Sequence, residues 1–142
     1  MQGYLKNPEE TAKALDQDGW LHSGDLARMD AEGYVFVTGR LKELIIKGGE
    51  NIAPREVDEA LYAVPDVIEA AAFGVPCPTY GETVEAAVTL RVDATSTPQT
   101  LLTACQDQLG PFKTPRAIHI LPELPKGPSG KIQRLKLAEL VG

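Results

Sequence analysis

The sequence predicts an α+β protein: a small mixed sheet with helices packed on it, covering one face. Three observations carry that expectation. Val84, Ala86, Val88, Leu90 and Val92 alternate with Glu85, Ala87, Thr89 and Arg91, which is the period of a strand with one wet face. Val57, Ala60, Leu61 and Val64 instead follow the i, i+3, i+4, i+7 spacing of a helix that buries one stripe. Gly and Pro fall singly or in short clusters, with no internal repeat or low-complexity tract, so they punctuate short elements throughout.

The elements follow in order. Residues 1 to 18 hold few large apolar side chains and several charges, and no element is assigned to them. GWLHSGDLARMDAEGYVFVTG, residues 19 to 39, reads as two strands around an Asp30-Ala31-Glu32-Gly33 turn, because aromatic and β-branched residues alternate on both sides. Residues 43 to 47 (ELIIK) run into Gly48-Gly49, whose missing Cβ atoms permit a tight turn and close ligand approach. Pro54 opens the first helix and Pro65 stops it. The second helix takes Thr97 as N-cap and Pro98 as its first residue, buries Leu101, Leu102, Cys105 and Leu109, and ends at Gly110. Residues 67 to 75 and 117 to 121 supply two more strands, and 135 to 140 a short final helix.

With 142 residues there is room for one domain, or one plus a fragment. No apolar run approaches the roughly 18 to 20 residues that span a bilayer, and the opening MQGYLKNPEET has neither the basic start nor the apolar stretch of a secretory signal. The expected location is cytoplasmic, with no membrane span. Cys77 and Cys105 have no CxxC neighbour and no clustered His, so neither a disulfide framework nor a metal site is expected; Cys105 reads as core. Residues 1 to 110 hold 8 Lys+Arg against 18 Asp+Glu, whereas residues 111 to 142 hold 6 against 2. The acidic body argues against a nucleic-acid partner, while the basic tail suits a small anion such as a phosphate, or simply a solvated face.

LPKGPSGKIQR, residues 124 to 134, is the most informative segment. A nucleotide-binding P-loop would need Gly at 125 and Ser or Thr at 132, and this chain has Pro125 and Ile132. What remains is a Gly-rich turn presenting Lys131, and such a lysine is by itself more often a solvated surface charge than a catalyst.

Three segments supply the context: GWLHSGDLARMDAEGYVFVTGR at 19 to 40, GRLKELIIKGGENIAPREVD at 39 to 58 and PKGPSGKIQR at 125 to 134. In order and spacing they resemble the carboxy-terminal signatures of the adenylate-forming superfamily, which includes acyl- and aryl-CoA synthetases, peptide-synthetase adenylation domains and beetle luciferases. The resemblance covers nearly the whole chain. It implies a large amino-terminal domain that binds ATP and a carboxylic acid, and a small mobile carboxy-terminal domain that closes over it. Residues 1 to 39 then end the large domain with a β-hairpin, and residues 40 to 142 form the small one. The Ser/Thr/Gly-rich ATP-phosphate loop of the family is not in the sequence, so the resemblance implies an incomplete fragment, inactive alone.

Carried over position by position, the resemblance makes Asp25 of HSGDLA the acidic residue that accepts hydrogen bonds from both ribose hydroxyls of the adenylate; two carboxylate oxygens suit a vicinal diol. The plain alternative is an Asp at a turn before a strand. Ser23 replaces the commoner Thr and keeps the hydroxyl. Arg40 matches a second ribose contact, and Lys42 the hinge about which the small domain swivels between an adenylation face and a thioester face; otherwise Lys42 is an exposed lysine at a strand end. Gly48 and Gly49 match the loop lining the pantetheine tunnel, beside their reading as a tight hairpin turn. The KGGENI form and the lysine at the hinge favour CoA as acceptor.

Lys131 matches the catalytic lysine of the family. A carboxylate attacking the α-phosphate of ATP accumulates charge on the phosphoryl oxygens, and a cation aimed there stabilises the transition state more than the ground state. The implied enzyme is an AMP-forming acid–CoA ligase using ATP, Mg2+ and coenzyme A. A small carboxylic acid is its substrate, bound through the missing domain, and the spacing from Pro125 to Lys131 resembles a segment acetylated by a lysine acetyltransferase in related synthetases. The alternatives are a free-standing, non-catalytic module that binds a nucleotide or a partner protein, and an adenylation domain with a non-CoA acceptor.

Overall fold

The structure, a computed structural model, describes residues 1 to 141. The chain forms two compact units, one ending at Lys42 and the other beginning at Glu43.

In the first unit, α1 (Pro8–Ala14) precedes the antiparallel pair β1 (Asp25–Met29) and β2 (Val35–Arg40). The hairpin forms where the alternation predicted it. The Asp30 carboxylate accepts from the amides of Glu32 and Tyr34 and Gly33 takes φ +89°, so the turn is built by local side-chain bonding. Helix α1 was not anticipated. Its end chemistry is regular: Asn7 accepts from the Glu10 amide, Pro8 leads, and Lys13 sits in the last turn. It buries no residue, so no apolar stripe marked it.

The second unit runs β3 (Ile45–Lys47), β4 (Glu50–Ile52), α2 (Pro54–Tyr62), β5 (Val67–Cys77), β6 (Gly81–Leu90), α3 (Pro98–Lys113), β7 (Ile118–Ile120) and α4 (Arg134–Val141). Strand β6 is central. Antiparallel β5 lines one edge over nearly its full length. The other edge is shared by antiparallel β3, at Lys47↔Gly81, and parallel β7, from Ala86↔Ile118 to Val88↔Ile120. A parallel neighbour needs a crossover, and α3 provides it. The Thr97–Thr100 capping box starts that helix, and Gly110, at φ +73°, interrupts it where the sequence predicted its end.

The expectation of one wet face on β6 is corrected: Thr83 to Thr89 are all buried. On one side Val84, Ala86 and Val88 pack with Val57, Ala60 and Leu61 of α2 and with Leu101 and Cys105 of α3. On the other, Ala71, Phe73, Val75 and Ala87 lie under Leu124 and Leu137, with Leu121 and Ile132 partly buried beside them. The segment after β7 folds back over the face that read as polar. Glu85 tolerates burial there because Arg116 and His119 pair with it. Cys105 is core as expected, its thiol pushed up to about 11 by burial. No helix among the described residues is long and apolar enough to cross a membrane.

Candidate functional site

Lys131 sits just after a closed turn. The Gly130 amide donates to the Gly127 carbonyl at 2.9 Å, the Gly127 amide donates to the Lys131 carbonyl at 2.8 Å, and Lys126 bridges to Ile132. Pro128 fixes φ at the first central position, and Gly130 takes φ +77°, a conformation an L side chain resists. Leu124 is buried ahead of the turn and Ile132 partly buried behind it, the Gln133 amide donates to the Pro125 carbonyl at 2.8 Å, and Lys126 pairs with Glu69 at 2.6 Å. The Lys131 side chain itself is exposed, with no hydrogen bond or ion pair among the described residues. An ordered backbone thus presents a free cation.

Gly48 and Gly49 form the two-residue turn between β3 and β4, at φ +58° and +87°. Positive φ at both central positions matches the right-handed strand twist, and Asn51 and Ile46 pair across the ladder. The Gly48 amide donates to the Tyr80 carbonyl at 2.8 Å, and the Ile46 amide to the Glu82 carboxylate at 2.7 Å, so the hairpin is fixed to the β5–β6 connection. A groove of about 330 Å³ lies beside it, lined by Lys47, Cys77, Tyr80, Gln106 and Arg116 among others. The Lys47 ammonium donates to the Phe112 carbonyl at 2.5 Å and lies 4.8 Å from the Phe112 ring centroid and 5.8 Å from that of Tyr80. No carboxylate pairs with it among the described residues, so its charge is held only by dipoles and ring faces. Hydrogen bonds from the Tyr80 and Thr79 amides hold the neighbouring Cys77 thiol below its ordinary value.

Asp25 and Arg40 belong to the first unit. They are register partners at the start of β1 and the end of β2, and their side chains meet at 3.1 Å. Lys42 lies in the short 3-10 turn Leu41–Glu43, at the last position before the second unit begins. The structure therefore brings Asp25 and Arg40 together, sets Gly48 against Tyr80 with Gly49 beside it facing open space, and carries Lys131 on a separate turn. Lys47 and Arg134 lie within two of the motif segments but do not stand out from them in the sequence. Lys47 becomes visible only when β3 reaches Phe112, 65 residues away. Arg134 lies within the motif that carries Lys131, and its spacing there was the available signal.

Against known proteins, the AMP-binding enzyme C-terminal domain family matches residues 56–131. Sulfoacetate–CoA ligase of Cupriavidus necator is 55% identical over 137 residues, 96% of this chain but 27% of that protein. Among solved structures, ATP-bound MatB from Rhodopseudomonas palustris superposes with a TM-score of 0.91 at 37% identity, over 98% of this chain and 28% of that one. The amide bond synthetase McbA from Marinactinospora thermotolerans gives 0.92 at 37% identity, over 100% and 29%. The chain thus spans little more than a quarter of the proteins it matches, and it belongs to the AMP-binding enzyme C-terminal domain family.

Proposed function

We propose that this chain is the carboxy-terminal part of an AMP-forming acid–CoA ligase, with residues 1 to 39 ending the large domain and residues 40 to 142 forming the mobile one. In the first half-reaction a substrate carboxylate attacks the α-phosphate of ATP, forming acyl-AMP and releasing pyrophosphate. In the second the CoA thiol, losing its proton, attacks the acyl carbon and AMP leaves. The observation that carries this reading is Lys131, an unpaired ammonium on an anchored turn, within a chain 55% identical to a ligase named for CoA.

Lys131 stabilises the charge that builds on the α-phosphoryl oxygens, as a point charge on a long stem. Asp25 and Arg40 bind the adenylate ribose: the carboxylate accepts from the diol, and the guanidinium, already 3.1 Å away, orients it. Lys42 is the hinge, where backbone torsions absorb the swivel. Gly48 and Gly49 let the pantetheine arm pass close to main chain. The groove next to them, with Lys47 and Arg116 beside the Tyr80 ring, suits the anionic, aromatic nucleotide end of CoA. Magnesium would enter with ATP; among the described residues no group of three His, Cys, Asp or Glu could hold a metal. Acetylation of Lys131 would remove the charge on which the first half-reaction depends. The cytoplasm is the expected compartment.

A second reading, an adenylating enzyme with a non-CoA acceptor, is favoured by the likeness to an amide bond synthetase. One experiment separates them. The full-length ligase is given ATP and, in turn, sulfoacetate, oxalate or hexanoate, and pyrophosphate release is followed with and without CoA or an amine. Acid-dependent pyrophosphate release with CoA thioester as product supports the reading, an amide product supports the second, and no release with any acid contradicts both. A non-catalytic nucleotide- or partner-binding module would give that last result.

A further inference from the structure

We propose that Arg134 is a positioning residue for Lys131, anchoring its turn to the point where the chain enters the second unit. The inference rests on the catalytic reading of Lys131 above. Arg134 follows Lys131 by three residues and opens α4. Its guanidinium is engaged on every nitrogen: Nη1 donates to Asp58 Oδ1 at 3.1 Å and to the Ala72 carbonyl at 3.0 Å, Nη2 to Asp58 Oδ2 at 2.5 Å, and Nε to Glu43 Oε2 at 3.1 Å. Asp58 also accepts from the Ala72 amide at 2.7 Å. One side chain thereby ties the end of the Lys131 turn to α2, to β5 and to Glu43.

The geometry matters because the Lys131 side chain has no hydrogen bond or ion pair among the described residues. A free ammonium can be aimed only through its backbone, and that backbone is fixed ahead of the turn by Leu124 and behind it by Ile132 and Arg134. Glu43 is the first residue of the second unit, so the Arg134–Glu43 pair makes the turn rigid with the entry point of the chain. A displacement of the backbone at Glu43 is then passed on to the Lys131 turn through this contact. Burial works against the charge on Arg134, and its contacts with Asp58 and Glu43 overcome that, raising its pKa. A lysine at 134 would keep a charge but lose the planar fork that reaches three partners at once.

Single-turnover kinetics on the full-length ligase test this, with sulfoacetate, oxalate and hexanoate as acids and the variants Arg134→Lys and Glu43→Gln, each alone and combined with Lys131→Ala. Glu43→Gln takes the charge from one arm of the clamp, leaving a neutral amide oxygen to accept from Nε, and leaves Asp58 paired, so it remains informative where Arg134→Lys folds poorly. A misplaced catalytic group typically costs on the order of tenfold to a hundredfold, and that loss is expected for Arg134→Lys in acyl-adenylate formation, with a smaller loss for Glu43→Gln. Conversion of supplied acyl-adenylate to thioester stays unchanged, and neither substitution costs anything further once Lys131 is Ala. An equal loss in both half-reactions, or the same loss in the Lys131→Ala background, overturns the inference. Lys131→Ala with undiminished adenylation instead overturns the catalytic reading. Amide exchange decides the anchoring independently of turnover: Gly127 and Gln133 amides should exchange faster in Arg134→Lys while β6 amides do not, and unchanged exchange at Gly127 and Gln133 overturns it.

Discussion

The Gly48 amide reaches across to the Tyr80 carbonyl at 2.8 Å, and a Cβ placed on Gly48 would lie 3.3 Å from the Tyr80 ring. Two turns distant in sequence are thereby locked together, the β3–β4 turn and the β5–β6 connection, with the Lys47 groove between them and α3. A glycine is required at 48 by its φ and by this approach alike. Gly49 differs: its φ is also positive, yet nothing lies within 4 Å of where a Cβ would stand. The space over Gly49 is open.

That contrast predicts a split phenotype. In the full-length ligase Gly49→Leu should obstruct the thiol route while pyrophosphate exchange survives, because the side chain enters open space and the left-handed backbone strain is confined to the turn. Gly49→Asn is the control, since Asn tolerates left-handed backbone with less bulk, and it should retain more thioester formation than Leu. Equal loss of both half-reactions in Gly49→Leu would show that the residue is there for the turn alone.

Burial of both sheet faces makes Leu137 a core residue on a helix whose neighbouring leucine is not. Leu137 is fully buried and Leu135 is 73% exposed. Leu137→Ala should cost about 2 to 5 kcal/mol of stability, and Leu135→Ala no more than about 0.5 kcal/mol, by urea denaturation. Similar small losses at both positions would mean that α4 is not packed on the sheet.

Acid stability should depend on Glu85. Burial raises its pKa, but the hydrogen bonds from His119 and Arg116 outweigh it and leave the carboxyl below its ordinary value of 4.5. A depressed carboxyl contributes stability that is complete above the unfolded value and is lost as pH falls through the folded one. Between about pH 6 and about pH 3 the melting temperature of Glu85→Gln should fall less steeply than that of the parent. Parallel curves would remove Glu85 from the acid transition.

What was legible in the sequence was local. Thr97 and Pro98, Gly110, the Gly48-Gly49 pair and the Asp30 turn each announce a backbone conformation through their own chemistry, and each element formed where that chemistry put it. The second core was illegible because Glu85 and Thr89 read as solvent contacts, and nothing near them in sequence says that Leu124 and Leu137 return to cover them. Helix α1 was missed for the opposite reason, having caps but no buried stripe. The Arg134 clamp joins residues 76 and 91 positions apart. The Lys131 motif was legible as a motif, while its anchoring was not.

On the proposed ligase reading, Lys131 serves the first half-reaction and not the second. Single-turnover kinetics of each half-reaction in the full-length ligase, parent against Lys131→Ala, test it directly. Removing a charge aimed at a phosphoryl transition state typically costs about 3 to 4 kcal/mol, on the order of a hundredfold to a thousandfold in rate, and that loss is expected in acyl-adenylate formation alone, with supplied acyl-adenylate still converted to the thioester at the parental rate. A fall of both half-reactions together, or a loss in adenylation below about tenfold, would rule out that role and return Lys131 to the status of a solvated surface lysine.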